Sequence, residues 1–126
     1  MTDLPTILIV EDSRTQAEQL AGQLSQRGLN ILLAEDGPDA LRIVDEQRPD
    51  AVILDVNLPS MSGYQVCRRL KRDENTSAIP VIMLTSSDSS DDTLRGLNVG
   101  ATDYIPKDAF ATENLVATLQ GIGVLK

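Results

Sequence analysis

The chain has 126 residues, 41% hydrophobic and 24% charged, which suits one soluble globular domain built without disulfides or structural metal. Nineteen acidic against eleven basic side chains give a formal charge of −8, which speaks against a nucleic-acid-binding surface, because phosphate neutralisation needs clustered Lys and Arg. Histidine is absent and Cys67 is the single cysteine, so zinc sites, His-based acid–base chemistry and an intramolecular disulfide are excluded.

The run TILIV (6–10) reads as a fully buried strand by its length and β-branching. Ser13 can cap a helix whose Ala17, Leu20, Ala21 and Leu24 fall on one face, and Gly28 stops it. ILLA (31–34) is a second strand. Asp36-Gly37-Pro38 turns the chain into a helix over roughly 38–47, with Pro38 in its first turn and Ala40, Leu41 and Val44 on its apolar side. Pro49-Asp50 breaks the chain before a third strand, AVILD (51–55). The loop LPSMSG leads to a third helix over roughly 63–72, with Val66, Cys67 and Leu70 turned inward. Its basic cluster CRRLKR (67–72) suits a solvated helix face. Pro80 opens a fourth strand, VIML (81–84). The polar stretch 86–92 supplies loop and cap for a fourth helix carrying Leu94 and Leu97, which Gly100 ends. ATDYI (101–105) is a short fifth strand, and a last helix from about Ala111 to Gly121 buries Leu115, Val116 and Leu119.

Strands alternating with helices imply right-handed βαβ crossovers and a parallel sheet with helices on both faces. The pattern alone leaves both doubly wound strand orders open. The order 2-1-3-4-5 sets the ends of strands 1 and 3 side by side at the switch point, where ligands collect in open α/β sheets. It would bring Glu11, Asp12 and Asp55 together. Three acids on one such rim make a metal site, and one of them could also be a nucleophile. No repeat or linker divides the chain, which is expected to be one domain over 1–126 with its core at about 6–123. No basic, apolar leader opens it, and no run approaches the ~18–20 apolar residues that span a bilayer, so a cytoplasmic location without membrane contact is expected.

Four segments fall where strands are expected to end: ILIVEDS (7–13), VILDVNLPSMSG (52–63), VIMLTSS (81–87) and GATDYIPKD (100–108). In this order and spacing they closely resemble the receiver domain of bacterial two-component response regulators, with the single-domain chemotaxis receiver as the nearest type. The resemblance spans essentially the whole chain and implies a flavodoxin-like sheet of order 2-1-3-4-5. It also implies that Asp55 accepts a phosphoryl group from a phosphohistidine on a histidine kinase or phosphotransfer protein. Carboxylate attack on phosphorus needs charge relief and in-line positioning, and Mg²⁺ supplies both. By resemblance, Asp12 and Asp55 ligate Mg²⁺ directly, Glu11 directly or through water, and Asn57 through its backbone carbonyl. Lys107 pairs with Asp55 and later with a phosphate oxygen, and Thr85 donates its hydroxyl to the phosphoryl group. Thr85 and the aromatic Tyr104 form the switch that alters the face of helix 4, strand 5 and helix 5 for a downstream protein target. Such a domain turns over no external substrate and works as a monomer or weak dimer.

Met61 and Gly63 also match the loop after the acceptor; loop packing and a positive-φ turn are their expected jobs. Cys67 is expected to be a buried hydrophobe. The chain departs from the usual receiver pattern in the order Pro106-Lys107-Asp108, where proline commonly follows the lysine. A cis bond there would cost about 3–4 kcal/mol without proline, so a trans Lys107–Asp108 bond is expected. Asn57 and Ser87, each two residues past a site residue, would flank the attacking water. With no output domain after the last helix, direct DNA contact is not expected of the chain as given. Other readings are a haloacid-dehalogenase-like phosphatase, which resembles Asp-x-Asp on the first strand where this chain has its candidate on the third, and flavodoxin-like FMN carriage, for which the turn EDSRTQ is too acidic. A receiver used only as a docking platform is the last, and the complete acid–Thr–Lys set speaks against it.

Overall fold

A computed structural model describes residues 4–86 and 98–126. Five parallel strands, β1 (Thr6–Val10), β2 (Asn30–Ala34), β3 (Ala51–Asp55), β4 (Val81–Thr85) and β5 (Asp103–Pro106), form one sheet of order β2-β1-β3-β4-β5. Helices α1 (Arg14–Ser25), α2 (Gly37–Gln47), α3 (Gly63–Arg72) and a C-terminal helix (Ala111–Gly121) cover its two faces. This is the flavodoxin-like arrangement, and it matches the expected strand order. The expected helix around Leu94 and Leu97, and Ser87, lie outside the described residues.

The side-chain alternation of the strands explains why both faces are apolar. Leu8, Val10, Val52, Leu54, Val81 and Met83 point to one side, against Ala40 and Val44 of α2 and Val66, Cys67 and Leu70 of α3. Ile7, Ile9, Ile53, Ile82 and Leu84 point to the other, against Leu24 of α1 and Leu115, Val116 and Leu119 of the C-terminal helix. A strand buried on both faces must be a continuous apolar run, which is what ILIV, AVIL and VIML are. Each fully buried Leu or Ile contributes about 1.5–3 kcal/mol by leaving water.

Local signals set the helix starts. Ser13, Asp36 and Ser62 each accept a hydrogen bond from the backbone N–H three residues on. The fifth strand departs from expectation: it begins at Asp103, where the ladder pairs Asp103 with Ile82, and it runs through Pro106, paired with Thr85. Gly100 at φ 94° makes the preceding turn, and Ala101 and Thr102 serve as the approach, Thr102 N–H reaching Val81 O at 2.7 Å. Proline is tolerated because β5 is an edge strand. No peptide bond among the described residues is cis, so Lys107–Asp108 is trans.

Cys67 is fully buried, its thiol reaching Val99 O at 3.5 Å, and burial pushes its pKa from 9.0 up to about 11. The folded state therefore holds the thiol proton more tightly than the unfolded chain, and this contribution is intact below pH 9 and lost as pH rises toward 11. At neutral pH the native thiol should stay unmodified by a disulfide reagent such as dithionitrobenzoate and react fully in urea. Rapid reaction of the folded protein would contradict the buried assignment.

Candidate functional site

The strand register builds the site. Val10 pairs with Leu54, so the next residues, Glu11 just past β1 and Asp55 at the end of β3, stand side by side at the rim of the sheet. Glu11 is 7% and Asp55 4% exposed, while Asp12 is open to solvent. One carboxylate oxygen from each of Glu11, Asp12 and Asp55 lies within 4.8 Å of the others, so the three could hold a metal ion. The expected convergence of these acids is therefore present.

Lys107, from the exit of β5, reaches across to them. Its Nζ donates to Glu11 Oε2 at 2.7 Å, Asp55 Oδ2 at 2.8 Å and Gln16 Oε1 at 3.3 Å. The other oxygens are also engaged. Asp55 Oδ1 accepts the Asn57 N–H at 3.0 Å, and Glu11 Oε1 accepts the Ser13 N–H at 3.1 Å. Glu11 thus joins the start of α1 to the ammonium. Thr85 is buried at the exit of β4, and its carbonyl accepts the Lys107 N–H at 2.6 Å.

The charges do not cancel pair by pair. Burial pushes the Glu11 carboxyl above its ordinary range, opposed by the bonds from Lys107 and Ser13 and reinforced by Asp55. Burial pulls the Lys107 ammonium down, but its bonds to Asp55 and Glu11 and their charges outweigh this and leave it raised. The two directions look contradictory for one ion pair. They agree once the stoichiometry is counted, because one ammonium serves two carboxylates. The lysine is over-supplied with negative charge, and Glu11 is under-supplied with positive.

Gly63, the first residue of α3, fixes the far side. A Cβ built there would lie 2.3 Å from Asp55 O and 2.9 Å from Val56 Cα. The Gly63 N–H also bonds Val56 O at 2.9 Å. Gly63 is not among the residues with positive φ, so the expected left-handed turn is not its job. It is glycine because α3 starts against the backbone that presents Asp55. The left-handed conformation belongs to Ser60, at φ 62°. Met61 does pack, with Cβ and Sδ 2.9 Å from the position a Cβ on Gly37 would take.

Tyr104 is half-buried and packs against the α2/α3 side of the core. Its hydroxyl is buried with no hydrogen-bond partner among the described residues. Sequence reasoning also missed Gln16 beside Lys107, Tyr64 in the core, and Thr76, whose Oγ1 donates to Leu70 O at 2.6 Å. The pattern Ser13-x-x-Gln16, which marks a helix start, was the available signal for Gln16.

Residues 7–120 match the family model described as the response regulator receiver domain. The chain belongs to that family. It is 41% identical over 116 residues to response regulator MprA of Mycobacterium sp. (strain KMS), covering 92% of this chain and 49% of the relative. It is 44% identical over 117 residues to the phosphate regulon transcriptional regulatory protein PhoB of Pseudomonas aeruginosa, covering 93% and 51%. Chemotaxis response regulator CheY4 of Vibrio cholerae superposes with a TM-score of 0.86 at 31% identity, over 94% of this chain and 98% of that one. The receiver chain spans about half the length of the curated relatives it matches. Receivers of this family stand in two-component signalling between a kinase and a downstream effector. One relative is named a transcriptional regulatory protein. The expected absence of a nucleic-acid partner therefore needs correcting: it was drawn from the acidic charge and from the 126 residues as given, and a relative matched over about half its length is named a transcriptional regulator, so it extends no further than the surface of these residues. No helix among the described residues is long and apolar enough to cross a membrane.

Proposed function

We propose that this receiver is a phospho-accepting switch in which Asp55 takes a phosphoryl group from the phosphohistidine of a histidine kinase or phosphotransfer protein. One observation supports this above the rest: a buried Asp55 carboxylate at a strand end, beside two further acids, with the Lys107 ammonium at 2.8 Å. An Asp55 carboxylate oxygen attacks phosphorus. The new O–P bond forms as the donor's P–N bond breaks. The imidazole keeps the bonding pair and, with its other nitrogen protonated, departs neutral. Lys107 meets the negative charge that arrives with the phosphoryl oxygens, and the Asn57 N–H holds the carboxylate plane.

The oxygen-only, acid-rich set of Glu11, Asp12 and Asp55 fits Mg²⁺, and by the family resemblance the Asn57 backbone carbonyl would be a further ligand. Once bound, that cation would neutralise the repulsion between the carboxylates and the phosphoryl group. Thr85, at the adjoining strand exit, supplies a hydroxyl for a phosphoryl oxygen, and Tyr104 adjusts as Thr85 moves. The face of β5 and the C-terminal helix then changes affinity for a protein target. On this reading the domain works in the cytoplasm, as a monomer or weak dimer, and turns over no external substrate.

Incubation with acetyl phosphate and Mg²⁺ should add the mass of one phosphoryl group to the chain and none to Asp55→Asn. Equal modification of both proteins would remove Asp55 as the acceptor. Steady release of phosphate from a generic phosphomonoester would favour a phosphatase instead.

A further inference from the structure

We propose that Gln16 is a positioning residue for the Lys107 ammonium, diverted to that task from helix capping; the proposal rests on the reading of Asp55 as phosphoacceptor. The observation is an internal comparison. Two helices of this domain start with the same spacing, Ser13-x-x-Gln16 at α1 and Ser62-x-x-Gln65 at α3. At α3 the capping box is complete: the Gln65 N–H donates to Ser62 Oγ at 3.3 Å, and Gln65 Oε1 accepts the Ser62 N–H at 2.9 Å. At α1 only the first half is present, with the Gln16 N–H donating to Ser13 Oγ at 3.3 Å. The Ser13 N–H goes instead to Glu11 Oε1 at 3.1 Å. Gln16 Oε1 is thereby released and accepts from Lys107 Nζ at 3.3 Å.

The substitution matters because of what the ammonium needs. It has three N–H donors, and its three acceptors come from three separate elements: Glu11 after β1, Asp55 at the end of β3 and Gln16 in α1. Two are anionic and short. The neutral one is longest and lies on the exposed side. Without it the ammonium would be directed by the two carboxylates alone. When Asp55 becomes an acyl phosphate the carboxylate charge is lost: one oxygen bridges to phosphorus and the other is a neutral carbonyl, and both are poorer acceptors. Lys107 must then exchange Asp55 Oδ2 for a phosphoryl oxygen, and Gln16 keeps the Nζ near the α1 side of the site during that exchange. Gln16 touches neither Asp55 nor the incoming phosphorus in this account; it acts through Lys107.

Gln16→Met keeps the side-chain length and removes the acceptor, whereas Gln16→Glu keeps an acceptor. The first readout uses no phosphoryl donor: acylation of the Lys107 amine by an N-hydroxysuccinimide acetate, followed by peptide mass analysis. Loss of one long hydrogen bond on the exposed side should speed Lys107 labelling about threefold in Gln16→Met and leave Gln16→Glu at or below the parent rate. An unchanged Lys107 rate in Gln16→Met overturns the proposal, even if its melting temperature falls, because that pattern means capping only. The second readout is the rate of Asp55 labelling by acetyl phosphate with Mg²⁺. Gln16→Met should slow it about threefold in the parent and leave it unchanged in a Lys107→Ala background. An equal slowing in both backgrounds also overturns it. Failure of the parent chain itself to be labelled would count against the phosphoacceptor reading, while the amine rates would still decide the role of Gln16.

Discussion

Replacing Gly63 by alanine is expected to destabilise the domain by about 3 kcal/mol and to slow Asp55 phosphorylation by one to two orders of magnitude, roughly. Helix propensity alone predicts the opposite sign, since alanine is better than glycine in a helix by up to about 1 kcal/mol. The contact decides the outcome. The new methyl would stand 2.3 Å from Asp55 O and 2.9 Å from Val56 Cα, and both are backbone atoms that no rotamer change can move. Either α3 retreats from the sheet, exposing part of the Val66, Cys67 and Leu70 seam, or the end of β3 shifts and takes the acceptor with it. Urea unfolding measures the first cost and acetyl phosphate labelling the second. Parent-like stability together with parent-like labelling would show that the approach is not needed.

Lys107→Met should cost about 2 kcal/mol of stability in metal-free buffer, below the usual loss for a broken buried pair because the lysine side chain is 25% exposed. The variant leaves Glu11 and Asp55 close together with no cation between them. The pH dependence has a definite sign. Burial already raises the Glu11 pKa above 4.5, so its folded form binds a proton more tightly than the unfolded chain does, and the associated stability is present at low pH and lost as pH rises. Removing the ammonium raises it further. The gap between variant and parent should therefore be widest near neutral pH and narrow on acidification as Glu11 protonates. Mg²⁺ should narrow it at neutral pH, by restoring a cation to the acids. Unfolding curves at two pH values, with and without Mg²⁺, test each part. A gap that widens on acidification would refute the account.

Much of the fold is legible because its signals are local. Apolar runs of four residues, each closed by an acid or a threonine, mark β1, β3 and β4, and Ser13, Asp36 and Ser62 announce the helices that follow them. Glu11, Asp12 and Asp55 could be read as one group because strand order and register bring the ends of β1 and β3 together. β5 was misplaced by two residues at its start, since Ala101 and Thr102 have the composition of a strand and only the register with Ile82 excludes them. The purpose of Gly63 was misread because close approach between segments leaves no trace in local pattern; the residue it accommodates is the carbonyl of Asp55. The divided duties of Glu11, one oxygen on Ser13 and the other on Lys107, were likewise invisible, because a residue type shows what it can bond and not how many partners it has.

The short bond from the Lys107 N–H to Thr85 O has a mechanical meaning. It ties the Lys107 backbone, one residue past β5, to the end of β4 where the Thr85 side chain departs, so a shift of one strand tip carries its neighbour. On the proposed reading, a pull on the Thr85 hydroxyl would therefore reach the main chain that carries the Lys107 amine.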